Sequence, residues 1–265
     1  MSLPPLSPQT FDFIVQIDGA YAALTALASH HGGHLLYAGD LTEASRALIV
    51  AANIAGAATL AATSDPAAGK QALRDGVIDF LVTSLDEALR ILKNEVRKRE
   101  PAAVCVTASP EAIEEEMQSR GVLPDLVAPF AAQVAHNSTH LPQIINPLPV
   151  AGDSFWLTWR AAESPAQWLP KIDAIALATL APTESPTRRW LQLAPRYLGR
   201  LTQSLRTVRT GEPQAQRFIE QLKSQIAALE LRTMIELYRG TWDNAQPIRL
   251  EPAISESERR DSPAI

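Results

Sequence analysis

The sequence predicts an α/β protein in which a parallel sheet carries helices on both faces and precedes a smaller mixed α/β region ending in a helical hairpin. Three observations lead to this prediction. Strand-like and helix-like segments alternate up to about residue 130. The strand segments there are apolar throughout, which is typical of a parallel sheet covered on both sides. Beyond about residue 150 the pattern changes to a tryptophan-bearing strand and two long helical stretches.

The first helix and the elements after it follow from local signals. Apolar residues three and four positions apart predict an amphipathic helix from about residue 12 to 30, ended by Gly32 and Gly33; they are Phe13, Ile14, Ile17, Tyr21, Leu24 and Leu27. The run HLLYAG predicts a strand. An alanine-rich helix follows, with Thr42 as its N-cap and Glu43 in its first turn.

The alternation then continues through three more helices. ATLAATSD predicts a buried strand, and DPAAGKQALRDG predicts a helix that ends at Gly76. VIDFLV predicts a strand, and Ser84 with Glu87 forms a capping box for the next helix. The series ends with a strand over AAVCVTA, a helix with Ser109 as N-cap and Pro110 at its first position, and a strand over DLVAPF. This first part is therefore predicted to be Rossmann-like.

The second part is predicted from weaker patterns. SFWLTWR predicts a strand, followed by a loop containing Trp168 and the apolar stretch IDAIALATLA. Two helices then form the hairpin, one running through TRRWLQLAPRYLGRLTQSLRTVR with an interruption at Pro195, the other from Pro213 to Gly240. The predicted organisation is a domain over 1–140, a mixed region over 150–250 and a flexible tail over 251–265.

Composition limits the classes of protein that this chain can be. The 265 residues are 46% hydrophobic and 20% charged, which excludes wholesale disorder and a polytopic membrane protein. A single cysteine, Cys105, excludes an intramolecular disulfide framework and is typical of a reducing compartment. The chain shows neither a secretory signal nor an apolar run of about 18 residues, so we expect a cytoplasmic location without membrane contact.

The charge is unevenly distributed along the chain. Residues 1–150 carry 9 basic and 16 acidic side chains, a net charge of -7, whereas residues 151–265 carry 15 and 13, a net charge of +2. One stretch, 186–211, has six arginines and no acidic residue: Arg188, Arg189, Arg196, Arg200, Arg206 and Arg209. Such a stretch is more often a solvated or ion-paired face than a nucleic-acid site, so nucleic acid is an unlikely partner.

Five spaced motifs run in order through the first part. They are Gly39 to Leu41, Asp65 to Pro66, Arg74 to Asp79, Leu85 to Leu89 and Arg120 to Val127. This series resembles the NAD-binding domain of the urocanase (urocanate hydratase) family, whose members show GDLGGMGGAQ, DP, RxGY(L/C)D, LDEAL and RRGxxPD(L/I)V. In the third motif, Asp75 and Val77 depart from that pattern. The resemblance covers about a third of the chain and implies a Rossmann-like scaffold that holds NAD as an electrophile.

The chain departs from the family at the positions that the resemblance would assign to NAD. The glycine-rich turn, which lets a diphosphate approach backbone amides, is replaced by Thr42, Glu43, Ala44, Ser45 and Arg46. The acidic ribose ligand falls on Thr63 and the following arginine on Ala68. Other family positions fall on Ser109, Pro110 and 130–134. We therefore expect no bound cofactor, with NAD disfavoured.

These departures suggest two hypotheses. The first is a noncatalytic urocanase-like protein that keeps the nucleotide-domain scaffold, lacks the substrate core of a urocanase roughly twice this length, and acts as a binding or interaction module. The alternative is a small-ligand or nucleotide-binding protein, or a urocanase-related hydro-lyase, that uses the crevice at the strand carboxyl ends. The candidate crevice residues are Gly39, Asp40, Thr42, Ser45, Arg46, Thr63 and Asp65, with Glu43 and Ser64 beside them. The hairpin predicts a homodimer.

No catalytic or metal-binding constellation is predicted. The histidines of SHHGGH, namely His30, His31 and His34, are more typical of a helix end than of a metal site. His136 and His140 have helical spacing in what reads as a loop. Cys105 lies in an apolar strand, where a thiol is usually inert. No nucleophile elbow, Walker loop or H-E-x-x-H motif occurs.

Overall fold

A computed structural model of the chain describes residues 7–129, 131, 142–198, 205–226, 233–241 and 246–251. These residues divide into two compact units. The first unit holds those up to 150 together with 196–198, and the second holds 151–195 and those from 205 onward. No helix in the described ranges is both long and apolar enough to cross a membrane.

A parallel sheet forms the centre of the first unit. Its six strands, as far as the chain is described, are ordered β3-β4-β2-β1-β5-β6. Their bounds are β1 Leu35–Asp40, β2 Ala58–Ala62, β3 Phe80–Val82, β4 Ala103–Val106, β5 Leu126–Val127 and β6 Gln143–Ile144. The central strand β2 is buried along its whole length. The predicted Rossmann-like α/β class is thus confirmed, and β6 is an edge strand that the sequence patterns missed.

In the described part of the first unit, five helices accompany these strands, and four of them connect β1 to β5, as parallel pairing requires. They are α1 Pro8–Leu27, α2 Glu43–Ala55, α3 Pro66–Asp75, α4 Leu85–Lys98 and α5 Pro110–Ser119. The predicted N-caps are present, because the side-chain oxygens of Thr42, Ser84 and Ser109 each accept a backbone N–H from the first turn of their helix. Contacts pair α1 with α2, and α4 with α5, while α2, α4 and α5 also contact the sheet.

The first helix ends earlier than predicted. It stops at Leu27, five residues before Gly32, because Ala28 adopts an extended backbone after donating its N–H to the Leu24 oxygen. The His31 ring also lies 2.8 Å from that oxygen through Nε2, which gives the Leu24 carbonyl a second polar contact at the end of the helix. Leu27, predicted to lie on the buried stripe, is 48% exposed.

An antiparallel sheet forms the second unit, in the order β10-β9-β7-β8 within the described residues. The strands are β7 Trp156–Ala161, β8 Leu205–Arg209, β9 Ile235–Gly240 and β10 Gln246–Leu250. The helices are α6 Pro165–Leu180, α7 Pro186–Tyr197 and α8 Glu212–Gln225. The mixed α/β character and the tryptophan-bearing strand are as predicted.

The predicted helical hairpin is wrong. The first predicted helix ends with α7, and its last residues form β8. The second predicted helix is cut to α8, and its last residues form β9. Trp168 is also not in a loop, because it is a buried residue of α6. The central part of the second predicted helix, 227–232, and most of the predicted tail, 252–265, lie outside the described residues.

The core of the second unit lies between this sheet and its helices. The Trp159 ring packs against Phe218 of α8, with 5.2 Å between ring centroids. Asp173 of α6 accepts hydrogen bonds from the Trp159 indole at 3.2 Å and from Arg206 Nε at 2.9 Å. These contacts fix α6 and α8 against one face of the sheet.

Candidate functional site

The carboxyl edge of the parallel sheet is the expected ligand site, because open α/β sheets bind ligands beyond the carboxyl ends of their strands. Strand β1 ends there at Asp40, β2 at Ala62 and β4 at Val106. The next residues lead into the N-termini of α2, α3 and α5. In the β1–β2 ladder Asp40 lies opposite Ala62, so Asp40 and Thr63 stand at neighbouring strand ends.

The turn between β1 and α2 is held together by its own polar groups. Gly39 has a φ of +67°, a left-handed backbone that favours glycine. The Leu41 N–H donates to the Asp40 side chain at Oδ1 at 2.8 Å, and the Thr42 N–H donates to the backbone carbonyl of Asp40 at 2.9 Å. The backbone amides of this turn are therefore bonded within the turn.

Two amides in the first turn of α2 are bonded in the same way. The Ser45 N–H donates to Thr42 Oγ1 at 3.2 Å, and the Arg46 N–H donates to the Thr42 carbonyl at 2.9 Å. The Ser45 hydroxyl, which is fully buried, donates to the Asp40 carbonyl. A diphosphate approaching this helix would have to displace the Thr42 side chain to reach the Ser45 amide.

Two carboxylates accompany these amides. Asp40 and Glu43 are both exposed, and Glu43 Oε1 accepts only a long bond of 3.5 Å from Gln16 Nε2 in the described contacts. Negative charge at a helix N-terminus is favourable to the helix dipole. The same charge repels a phosphate group from the position that a dinucleotide needs.

Arg46 does not join this turn. Its guanidinium forms an ion pair with Asp75, the last residue of α3, and Asp75 also accepts a hydrogen bond from Gln71 at 2.7 Å. The turn therefore lacks the positive charge that the sequence placed there, and Gly39, Asp40, Thr42 and Ser45 are the predicted residues that the structure brings together.

Thr63 and Asp65 are engaged in capping α3. The Thr63 hydroxyl is buried and accepts the Asp65 N–H at 3.2 Å, while Asp65 Oδ1 accepts the Ala67 N–H at 2.8 Å. Ser64 between them is exposed. The two predicted residues lie together at the end of β2, in a local turn.

A buried tyrosine on the other side of β1 was missed by the sequence reasoning. The Tyr37 hydroxyl lies 3.4 Å from the Pro110 carbonyl, and it also interacts with the Glu114 carboxylate. Burial and the nearby Glu114 raise the pKa of Tyr37, and burial raises the pKa of Glu114. The signal available was a tyrosine inside an otherwise aliphatic strand.

The histidine-rich segment connects elements at the other end of the sheet. The His31 and His34 rings meet edge to face with 5.4 Å between centroids. The backbone N–H of His31 donates to the Ala55 carbonyl. Within the ranges that the structure describes, no group of three or more His, Cys, Asp or Glu side chains is placed to hold a metal ion. His136 and His140 lie outside those ranges.

The arginines of 186–211 are distributed over two elements. Arg188 of α7 pairs with Glu184 at 3.2 Å, and Arg206 of β8 pairs with Asp173. Arg196 stacks over the Tyr197 ring at 5.2 Å. A helix and a strand replace the single helical face that the sequence suggested, while Arg200 lies outside the described residues.

The first unit has two cavities beside α1 and α2. One, of about 340 Å³, is bordered by the first turns of α1, by Glu43, Arg46 and Val50 of α2, and by Asp75 and Val77. The other, of about 360 Å³, is bordered by the middle of α1, the start of α2 and residues 147–150. Both volumes fall at the lower end of the range for small-molecule sites.

A comparison with protein families matches this part of the chain. The family model described as Urocanase, Urocanase Rossmann-like domain, matches residues 14–146. The match extends from the second turn of α1 to just beyond β6, and it confirms the resemblance drawn from the five spaced motifs.

Proposed function

Because the chain belongs to the urocanase Rossmann-like domain family, we propose that it is a noncatalytic member acting as a binding or interaction module. It keeps the nucleotide-domain scaffold and lacks the NAD cradle. The cytoplasm is its proposed location, in keeping with the single buried cysteine.

The observation that carries this proposal is the internal bonding of the β1–α2 turn. A dinucleotide pyrophosphate is bound by free amides at a helix N-terminus, in a turn without side chains. Here the amides of Leu41, Thr42 and Ser45 are bonded to Asp40 and Thr42. A diphosphate bound at these three amides would have to break these bonds, and it would also lie near the carboxylates of Asp40 and Glu43.

Titration calorimetry with NAD on the full chain tests the proposal. We expect no saturable binding stronger than a Kd of about 1 mM, and micromolar binding would overturn it. The double variant Thr42→Gly/Glu43→Gly frees the Ser45 amide and removes one carboxylate, and glycine at an N-cap costs only a few tenths of a kcal/mol. It should bind NAD at least about tenfold more tightly than the natural chain.

A matched control separates this effect from a general change in the fold. Ser84→Gly/Asp86→Gly makes the same kind of change at the N-terminus of α4, where Ser84 caps the Glu87 amide. The control should leave NAD binding unchanged. Equal gains in both double variants would contradict the assignment of the loss to the β1–α2 turn.

The proposed assembly is a homodimer. The structure has an antiparallel sheet in place of the helical hairpin that predicts a dimer, so light scattering is the direct test of this proposal. A dimer of the 28.8 kDa chain has a mass of 2 × 28.8 = 57.6 kDa, and a monomer mass at micromolar concentration would reject it.

A further inference from the structure

One cavity of the first unit brings charged and apolar side chains of α1, α2 and the end of α3 together. Glu43 and Arg46 of α2 border it, and so do Asp75 and Val77, which lie about thirty positions further along the sequence. The cavity has a volume of about 340 Å³ and is here termed the Arg46 cavity.

Two of these residues form an ion pair. The Arg46 guanidinium pairs with Asp75, which Gln71 also holds. The Arg46 side chain is 22% exposed and that of Asp75 is 37% exposed, so the pair forms part of the cavity wall and is partly shielded from solvent. An arginine at position 46 without Asp75 would leave a partly buried charge unpaired. The pair therefore gives the wall a fixed shape.

The remaining walls of the cavity are mostly apolar. Val77 is only 4% exposed, and the cavity is also bordered by Phe13 of α1 and Val50 of α2, with Tyr197 and Leu198, which belong to the same compact unit.

The charges around the cavity indicate the ligand. Asp75 neutralises Arg46. Among the residues that the structure describes, Glu43 Oε1 accepts only the 3.5 Å hydrogen bond from Gln16, so its negative charge has no ionic partner there. The hydroxyls of Ser7 and Thr10, also on the cavity border, can accept further N–H groups. The Phe13 ring can add a cation–π contact.

We propose that the Arg46 cavity binds a small, largely apolar amine, with its ammonium group at Glu43 and its apolar part against Val50 and Val77. This site lies between α1, α2 and the end of α3. The amine site goes beyond the proposed function, because titration with NAD tests the loss of the NAD cradle, whereas titration with amines tests the Arg46 cavity.

Titration calorimetry of the full chain with tryptamine and 2-phenylethylamine tests the site, with indole-3-propionate as the anionic counterpart. We expect at least one amine to bind with a Kd below about 1 mM, and the carboxylate to bind at least about tenfold more weakly. Absence of saturable binding by both amines, or equal binding of the carboxylate, would overturn the proposal.

Three variants locate the binding. Val77→Tyr adds an aromatic ring at the cavity wall, and it should weaken amine binding at least about tenfold by filling the cavity. Glu43→Gln, at an exposed position, should weaken it by a similar factor. Val15→Phe fills the neighbouring 360 Å³ cavity and should leave it unchanged. Amine binding that survives both Val77→Tyr and Glu43→Gln would contradict the assigned site.

Discussion

A buried carboxylate in the second unit shows how single residues stabilise this chain. Glu236 is 1% exposed. Its carboxylate accepts hydrogen bonds from Arg160 Nε at 3.0 Å and from the Tyr238 hydroxyl at 3.2 Å, and it forms an ion pair with Arg249 Nε at 3.5 Å. These donors offset the cost of taking the carboxylate out of water. No local sequence pattern predicts this cluster, because Arg160, Glu236 and Arg249 meet only when β7, β9 and β10 pair.

Removing that carboxylate should destabilise the second unit strongly. Glu236→Ala leaves the Arg160 guanidinium buried without its carboxylate, which costs about 3–5 kcal/mol. Tryptophan fluorescence during urea unfolding measures the lost stability of the second unit selectively, since all five tryptophans lie beyond residue 150. The control is Glu184→Ala, whose side chain is 90% exposed in its pair with Arg188. That variant should change the free energy of unfolding by less than about 1 kcal/mol, and equal losses would contradict the argument.

The cysteine provides a second prediction at the residue scale. Cys105 is fully buried in β4, and burial, together with the Asp40 carboxylate, raises the pKa of its thiol to about 12. Reaction requires the thiolate, so the folded chain should not react with a disulfide reagent at neutral pH. The reaction of Cys105 with the disulfide reagent, followed by absorbance, should begin only when urea unfolds the first unit or at strongly alkaline pH. Rapid labelling of the folded chain would show that the strand opens.

At the scale of elements, the first unit follows its sequence because its helix ends are locally determined. The side chains of Thr42, Ser84 and Ser109 each accept a hydrogen bond from an amide three residues further along the chain, and this depends on no distant contact. The candidate site was only partly predictable for the opposite reason. Thr42 and Ser45 meet within one turn, whereas the direction of Arg46 depends on Asp75 in another helix.

The second unit differs from the prediction because the apolar residues of its short strands have a spacing that also fits a helix. Leu205 and Val208 are buried three residues apart, and Ile235 and Leu237 continue the apolar stripe of α8. Apolar runs this short fit either period. Antiparallel pairing of β7 with both β8 and β9 decides the outcome, and no local window contains that information.

The packing of α1 gives a prediction at the element scale. A Cβ added to Gly19 would lie 2.5 Å from the Leu148 carbonyl oxygen, and the Leu148 N–H donates to the Gly19 carbonyl at 3.0 Å. Gly19→Ala should therefore destabilise α1 by about 1–2 kcal/mol, even though alanine itself favours helix by about 0.5–1 kcal/mol. Hydrogen exchange of residues 8–27 should accelerate accordingly.

A second glycine is the control for this variant. Nothing lies within 4 Å of a Cβ added to Gly152, so Gly152→Ala should leave exchange in α1 and the thermal midpoint nearly unchanged. If Gly19→Ala were as stable as the natural chain, residues 147–150 would not be held against α1 in solution.

For the molecule as a whole, the charge asymmetry separates the two units chemically. The acidic side chains of 1–150 exceed the basic ones by 16 - 9 = 7, and Asp40, Glu43 and Asp65 stand at the sheet edge where a nucleotide would enter. The basic excess of 151–265 is only 15 - 13 = 2. Ion pairs with Glu184 and Asp173 also engage Arg188 and Arg206.

This distribution predicts that the full chain binds neither duplex DNA nor duplex RNA. Nucleic-acid affinity depends on releasing counterions with clustered basic groups, and here the arginines of 186–211 are divided between a helix and a strand. Fluorescence anisotropy with labelled duplexes at about 50 mM salt should show no saturable binding. Binding whose affinity falls steeply with salt would contradict the prediction. In that case, replacing Arg189 and Arg209 with serine should reduce the salt dependence by about one unit per lost phosphate contact.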